Sequence, residues 1–420
     1  MKVNVTREEI TQGVNLTSIT DAKFKTNSAV IRFIMPLDEK TASANALAAQ
    51  LLLLSHKKYT GLTEITDFTN KLYGASIGAS IFKVGDNQVI AFTANSIRDE
   101  YALEGEKLFY ELIKVLLECI FDPLDFDDKY FELKKSELIN SIDSEINEKR
   151  TYAILNANKY AFKDEPYSLS ANGTRESAEK LTKDQVISAY KNLLQNSNVE
   201  ISLSGGGDFK SAKDLIVKTF SGREMTDVQY PFVIYSPIKQ EVVTAEDSCE
   251  MNQLKMVMIF KTDYKNDAVN GLFAALLGGT PFSKLFMNVR EKLSLCYYCV
   301  SRMIYEKGAV MIDSGIDSGN LSAAYDEILN QIDEIKKGNF TDEELYNTKL
   351  AMRGSIKTVY DSPAELAVWY FTRHARGKTN QSPDEAQREM FAVSREEIIE
   401  AANSIKLDTI YTLKNNGGDK

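Results

Sequence analysis

The chain repeats its own order of elements, and that limits the folds open to it. A β-branched run, NSAVIRFIMPL (27–37), precedes SANALAAQLLLL (43–54), which is helical in composition. The same pair recurs as LKMVMIFKTDY (254–264) and AVNGLFAALLGG (268–279), roughly 225 residues later in each case. The segment 62–97, LTEITDFTNKLYGASIGASIFKVGDNQVIAFTANSI, reads as a helix and then two strands joined by the hairpin turn KVGDN. The second half repeats this as the helix FSKLFMNVREKL, the strand LCYYCVSRMIY, the turn EKG and the strand AVMIDSGID. Long helical segments follow at 98–119 and 320–337. A strand, turn and helix at 198–220 closes the first half, and 221–240, with two of the eight prolines, reads as a linker. The expected fold is α+β, with one domain over 1–220 and a second, homologous one over 241–420. Each is an antiparallel sheet with helices packed on one face, and the two close as a clamshell around a chamber.

Composition narrows the function. A chain of 420 residues that is 43% hydrophobic buries large cores and suits two or three domains. Its net charge of −10 argues against nucleic acid or an anionic membrane as the main partner. The opening MKVNVTREEITQ lacks the apolar core of a signal peptide. The longest apolar run, near ALAAQLLLL (46–54), falls well short of the roughly 20 residues of a membrane span. Four cysteines make no disulfide framework, so the expected location is the cytoplasm. Two histidines, His56 and His374, leave little room for histidine-based catalysis or a histidine zinc site.

The stretch LLGGTPFSKLFMNVREKLSLCYY resembles the pitrilysin/insulinase superfamily of zinc metallopeptidases, in which a helix ending in Arg-Glu-Lys turns into a strand carrying Leu-small-Tyr. Tyr297 follows Arg290 by seven positions, as in that pattern, and SGGGDF (204–209) is similar to the family's close of its first half. The specific part covers about 25 residues, while the order of elements matches along nearly the whole chain. Active members carry His-x-x-Glu-His on the first long helix, where two histidines bind zinc and the glutamate is the general base. Here that position reads Ala46-Leu47-Ala48-Ala49-Gln50. The third ligand falls near Leu133 or Lys134, with Glu132 and Glu137 close by. The resemblance therefore implies a half-size bacterial subunit of the inactive branch, with no catalytic residue, no metal ligand and no cofactor of its own. It implies Arg290 and Tyr297 as binders of substrate backbone, a homologous partner subunit bearing the zinc motif, and a peptide substrate. The rival reading is a catalytically silent scaffold or a peptide-binding homodimer of the same fold.

The remaining features have plainer explanations. Tyr298 is expected in the core, on the strand face opposite Tyr297. Cys296 and Cys299, three apart in a strand, should point to opposite faces as free thiols. His56 suits a helix C-terminus, and His374 near Gly377 shows no partner in the sequence. SGGGDF lacks the pattern of a phosphate loop and reads as a strand–turn–helix junction capped by Asp208. The charge run 121–150 reads as a solvated helix face.

Overall fold

The computed structural model describes residues 3–54, 56–123, 126–222 and 230–416. The chain forms two compact units. The first gathers Met1–Asp143, Leu169–Phe232 and Val359–Asn380, and the second Ser144–Ser168, Val233–Thr358 and Gln381–Lys420.

The first unit is built on six strands: β1 Asn4–Thr11, β2 Val14–Thr20, β3 Thr26–Pro36, β4 Ser76–Val84, β5 Asn87–Ile97 and β6 Asn198–Gly205, in the order β1-β2-β6-β3-β5-β4. The run NSAVIRFIMPL becomes central β3, buried on both faces, which is why it is apolar without alternation. Helices Ala42–Leu52, Leu108–Phe121, Lys183–Asn196 and Lys210–Phe220 cover one face with an aliphatic core. At the end of β6, SGGGDF passes close to β3: a Cβ on Gly206 would lie 2.1 Å from the Phe24 carbonyl oxygen. Asp208 accepts the Lys210 N–H at 2.9 Å, but it stands one residue before the N-cap. That position is Phe209, which carries no side-chain cap, so the expected Asp208 cap is displaced by one position.

The second unit has five strands: β7 Val243–Cys249, β8 Leu254–Lys261, β9 Cys296–Ile304, β10 Ala309–Ile316 and β11 Lys406–Asn415, ordered β7-β11-β8-β10-β9. This is the first sheet without β1, so the duplication read from sequence holds strand for strand. Helices Asp267–Ala274, Leu321–Lys336, Asp342–Thr358, Pro383–Ala392 and Arg395–Ser404 lie on one face around a second apolar core.

The α+β class and the pair of like units stand, and three details differ from expectation. Each sheet is mixed, because β2 runs parallel to β6 and β7 parallel to β11. Helices are not confined to one face. In the second unit Lys149–Ala161 lays Ala153, Ala157 and Ala161, spaced by four, against Val257, Ile259, Met311 and Tyr411 on the reverse face of the sheet. In the first unit Pro363–Ala375 covers the reverse face through Leu366, Ala367, Tyr370 and Phe371. The third difference follows: boundaries at 220 and 241 do not match the compact units, since 144–168 packs with the second sheet and 359–380 with the first. Part of the linker read at 221–240, residues 223–229, lies outside the described residues.

Candidate functional site

The Arg290 segment is shaped by where its apolar residues anchor. Leu285 and Val289 are buried in the second core, Lys284 pairs with Glu344 at 2.7 Å, and Asn288 donates to Gln331 at 2.7 Å. With that side fixed, Phe286, Met287 and Arg290 turn outward. The helix Leu285–Lys292 is wound wider than an α-helix, with π-type bonds such as Leu293 N–H to Asn288 O at 3.2 Å. Ser294 then takes a left-handed conformation, φ 52°, and the chain reverses into β9.

The first turn of β9 is irregular. Tyr298 pairs with Gly315 and Cys296 with Ile316, so Tyr297 has no partner and forms a β-bulge on a strand at the edge of its sheet. The bulge turns Tyr297 outward, 53% exposed, while Tyr298 lies back over Gly315. There the Arg150 guanidinium sits 4.6 Å from the Tyr298 ring and forks onto buried Asp313 at 2.7 and 3.0 Å. Burial, then the nearby Asp313 carboxylate, pushes the Tyr298 phenol up in pKa, so it stays a neutral packed group.

Arg290 and Tyr297 line one cavity of ≈ 360 Å³, together with Glu291, Ser294, Cys296 and Asp317. Arg290 stacks on Phe286 at 4.8 Å and meets Glu291 through Nε at 3.6 Å. An exposed pair of this kind contributes about 0–1 kcal/mol, so an incoming acceptor can displace it. Guanidinium and phenol offer donors suited to a carbonyl or carboxylate, and the edge of β9 offers backbone groups to an added strand.

The helix Ala42–Leu52 carries different chemistry. Ala46 and Ala49 are fully buried among Leu112, Leu116, Phe131 and Leu138, in one aliphatic core. Glu132 and Glu137 are exposed on the later helix, where Glu137 pairs with Lys134 at 2.7 Å. Among the described residues no three His, Cys, Asp or Glu side chains gather as a metal site. Methyl groups and one amide at 46, 49 and 50 do not fit zinc, which takes thiolate, imidazole or carboxylate ligands.

Residues 180–352 match the family model of the Peptidase M16 inactive domain. Over 97% of both chains, the protein is 28% identical to a Bacillus subtilis protein named probable inactive metalloprotease YmfF. A conserved protein from Enterococcus faecalis shares the fold with a TM-score of 0.90, at 24% identity over 99% of this chain and 100% of that one. The chain is thus similar to the inactive branch of the M16 peptidases in sequence and shares their fold. A protease from Helicobacter pylori, 14% identical over 98% of this chain and 100% of its own, is also superposable, with a TM-score of 0.81.

Both histidines serve structure. His56 is buried, accepts the backbone N–H groups of Lys58 and Tyr59 at Nδ1 (3.0 and 3.1 Å), and so donates from Nε2 to Glu118 at 2.7 Å. His374 has the partners its sequence context hides. Its Nε2 lies 3.1 Å from Arg7 and 3.4 Å from Glu200, and its Nδ1 is 2.9 Å from Thr379. Arg7 forks onto Glu200 at 2.7 Å through both nitrogens. Burial acts to raise the Glu200 pKa, but the bonds from Arg7 and His374 outweigh it and hold the carboxyl below its ordinary value. Arg32, buried on β3, donates to Ser202 at 2.9 Å, and desolvation lowers its pKa to about 10 against the pull of Glu200. These groups lie far apart in sequence, and no local motif signals them.

The cysteines require a correction. The bulge at Tyr297 shifts the alternation by one, so Cys296 and Cys299 are both buried in the same apolar core rather than on opposite faces. Both thiols face that core from the same side of the bulged strand.

Proposed function

We propose that the protein is a non-catalytic, peptide-binding subunit of a heterodimeric M16 zinc peptidase in the cytoplasm. The observation that carries this reading is the pairing of Arg290 and Tyr297 around one cavity at an edge strand, in a chain whose motif helix holds Ala46, Ala49 and Gln50. Arg290 and Tyr297 would donate to the carbonyls of an extended peptide, each charge-assisted bond contributing about 1.5–3 kcal/mol. The partner would supply the metal and the general base. The chain alone would not hydrolyse peptides, because no residue of its motif helix can ligate the metal that activates water.

The test is native mass spectrometry of the tagged chain recovered from its own cells. The reading expects a roughly equimolar, zinc-bearing relative. In that pair, Arg290→Ala should depress kcat/KM while the complex stays assembled. A homodimer or a monomer without metal or relative would overturn the split-enzyme reading and leave a scaffold or a peptide-binding homodimer.

A further inference from the structure

We propose that Cys296 and Cys299 are a reversible thiol–disulfide pair, reached by small disulfide oxidants through the Arg290–Tyr297 cavity. The inference stands on the bulge, the cavity and the thiols, and not on the peptide-binding reading. Without the bulge the two side chains would lie on opposite faces of β9. With it they share one face and one apolar core, opposite Ile316 and Ser314 on the neighbouring strand.

The two thiols differ in setting. Cys296 lines the cavity and is 9% exposed, whereas Cys299 is 2% exposed behind it. The neighbouring Cys299 thiol holds the Cys296 pKa down against the effect of burial, and the Arg290 charge adds to it. Cys299 is pushed up by the Cys296 thiol and by burial. That asymmetry suits an attacking thiolate in front and a resolving thiol behind. The other cysteines lack it: Cys119 is fully buried in the first unit and pushed up to about 12, and Cys249 sits against Met251 in the reverse-face core of the second.

The chemistry balances with a low-molecular-weight disulfide such as oxidised glutathione. The Cys296 thiolate attacks one sulfur, and a glutathione thiolate leaves. The Cys299 thiol gives up its proton and attacks the Cys296 sulfur, expelling the second glutathione. Two protein thiols are oxidised and one disulfide is reduced to two thiols. Closing the bond draws the strand together at its bulge, where pairing is already interrupted, and so repositions Tyr297. A bond closed against local strain is readily reduced, which makes the pair reversible.

The test treats the folded full-length chain with oxidised glutathione, blocks remaining thiols with iodoacetamide, and maps the digest by mass spectrometry. The expected product is a peptide bearing Cys296 and Cys299, lighter by two hydrogens, unalkylated at both, and restored by dithiothreitol. Before oxidation, Cys296 should alkylate about tenfold faster than Cys119 or Cys249, as a cavity-lining thiol beside a cation does. In Cys299→Ser, glutathione should remain on Cys296 as a mixed disulfide. A stable mixed disulfide on Cys296 in the unmutated chain would overturn the pair, because Cys299 would then not resolve it. No modification at either position, with the fold intact by circular dichroism, would overturn it as well.

Discussion

Both units contain a helix that turns through left-handed backbone into an edge strand. In the first, Leu62–Lys71 turns through Tyr73 (φ 58°) and Gly74 (φ 72°) into β4; in the second, Leu285–Lys292 turns through Ser294 (φ 52°) into β9. Counting from Tyr73 and Ser294, Arg290 falls opposite Thr69 and Tyr297 opposite Ser76. Thr69 is buried, with its hydroxyl on the Thr66 carbonyl at 3.0 Å, and β4 pairs with β5 from Ser76 onward in unbroken register. The second junction carries an exposed cation, an exposed phenol and a bulge that aims the phenol. A duplicated backbone thus supports two different surfaces, and of the two junctions only the second sets a guanidinium and a phenol around one cavity.

The reverse faces offer a second comparison. Each sheet buries a carboxylate to which the helix contributed by the distant segment brings a basic residue: Arg150 to Asp313, and His374 beside Arg7 to Glu200. The largest effect is expected at the simpler pair. Asp313→Ala removes both bonds of the fork from the half-exposed Arg150 guanidinium and empties a buried site beside Tyr298, and should cost about 3–4 kcal/mol. A urea midpoint unchanged from the parent would show that the pair does not brace the sheet.

Next in size is an attempt to make the first unit resemble an active enzyme. Placing His, Glu and His at 46, 49 and 50 forces bulky polar groups into an aliphatic core where Ala46 and Ala49 are fully buried. The variant should lose about 3 kcal/mol or more and retain no zinc after dialysis. A stable variant binding one zinc would show that the helix is one substitution set from competence. It would break the contrast between the two units.

The third prediction isolates the second junction. Arg290→Ala and Tyr297→Phe should each weaken binding of an extended peptide by about tenfold or more, read by fluorescence anisotropy on the assembled complex. Both sites are exposed, so thermal stability should stay within about 0.5 kcal/mol. Equal losses from Thr69→Ala would place the ligand elsewhere.

Much of this contrast was legible in the sequence, and the parts that were not have a common cause. The repeat, the order of elements along the chain and the seven-residue spacing of Arg290 and Tyr297 are local patterns, which periodicity and turn residues report directly. The segments exchanged between units are not local. Helix Lys149–Ala161 has only an alanine stripe on one side, and its sheet is assembled from residues about a hundred positions downstream and beyond. The His374–Glu200–Arg7 cluster spans the chain in the same way. The bulge escaped because strict alternation was assumed along LCYYCV, and a single unpaired residue reverses every orientation before it.

The smallest effect tests the two left-handed turns against each other. A non-glycine residue at positive φ costs about 1–2 kcal/mol, part of which glycine recovers before its own entropic cost is counted. Ser294 makes little use of its side chain, so Ser294→Gly should stabilise the chain by less than about 1 kcal/mol. Tyr73 is different, because its hydroxyl accepts the Leu103 N–H at 2.9 Å and donates to Glu106 at 3.1 Å. Tyr73→Gly should therefore gain nothing or lose slightly in a urea titration. If both substitutions stabilise equally, the Tyr73 bonds are idle and the turns are equivalent. If only Ser294→Gly does, the first junction is fixed by its side chain and the second by backbone alone, which leaves the second free to carry Arg290 and Tyr297.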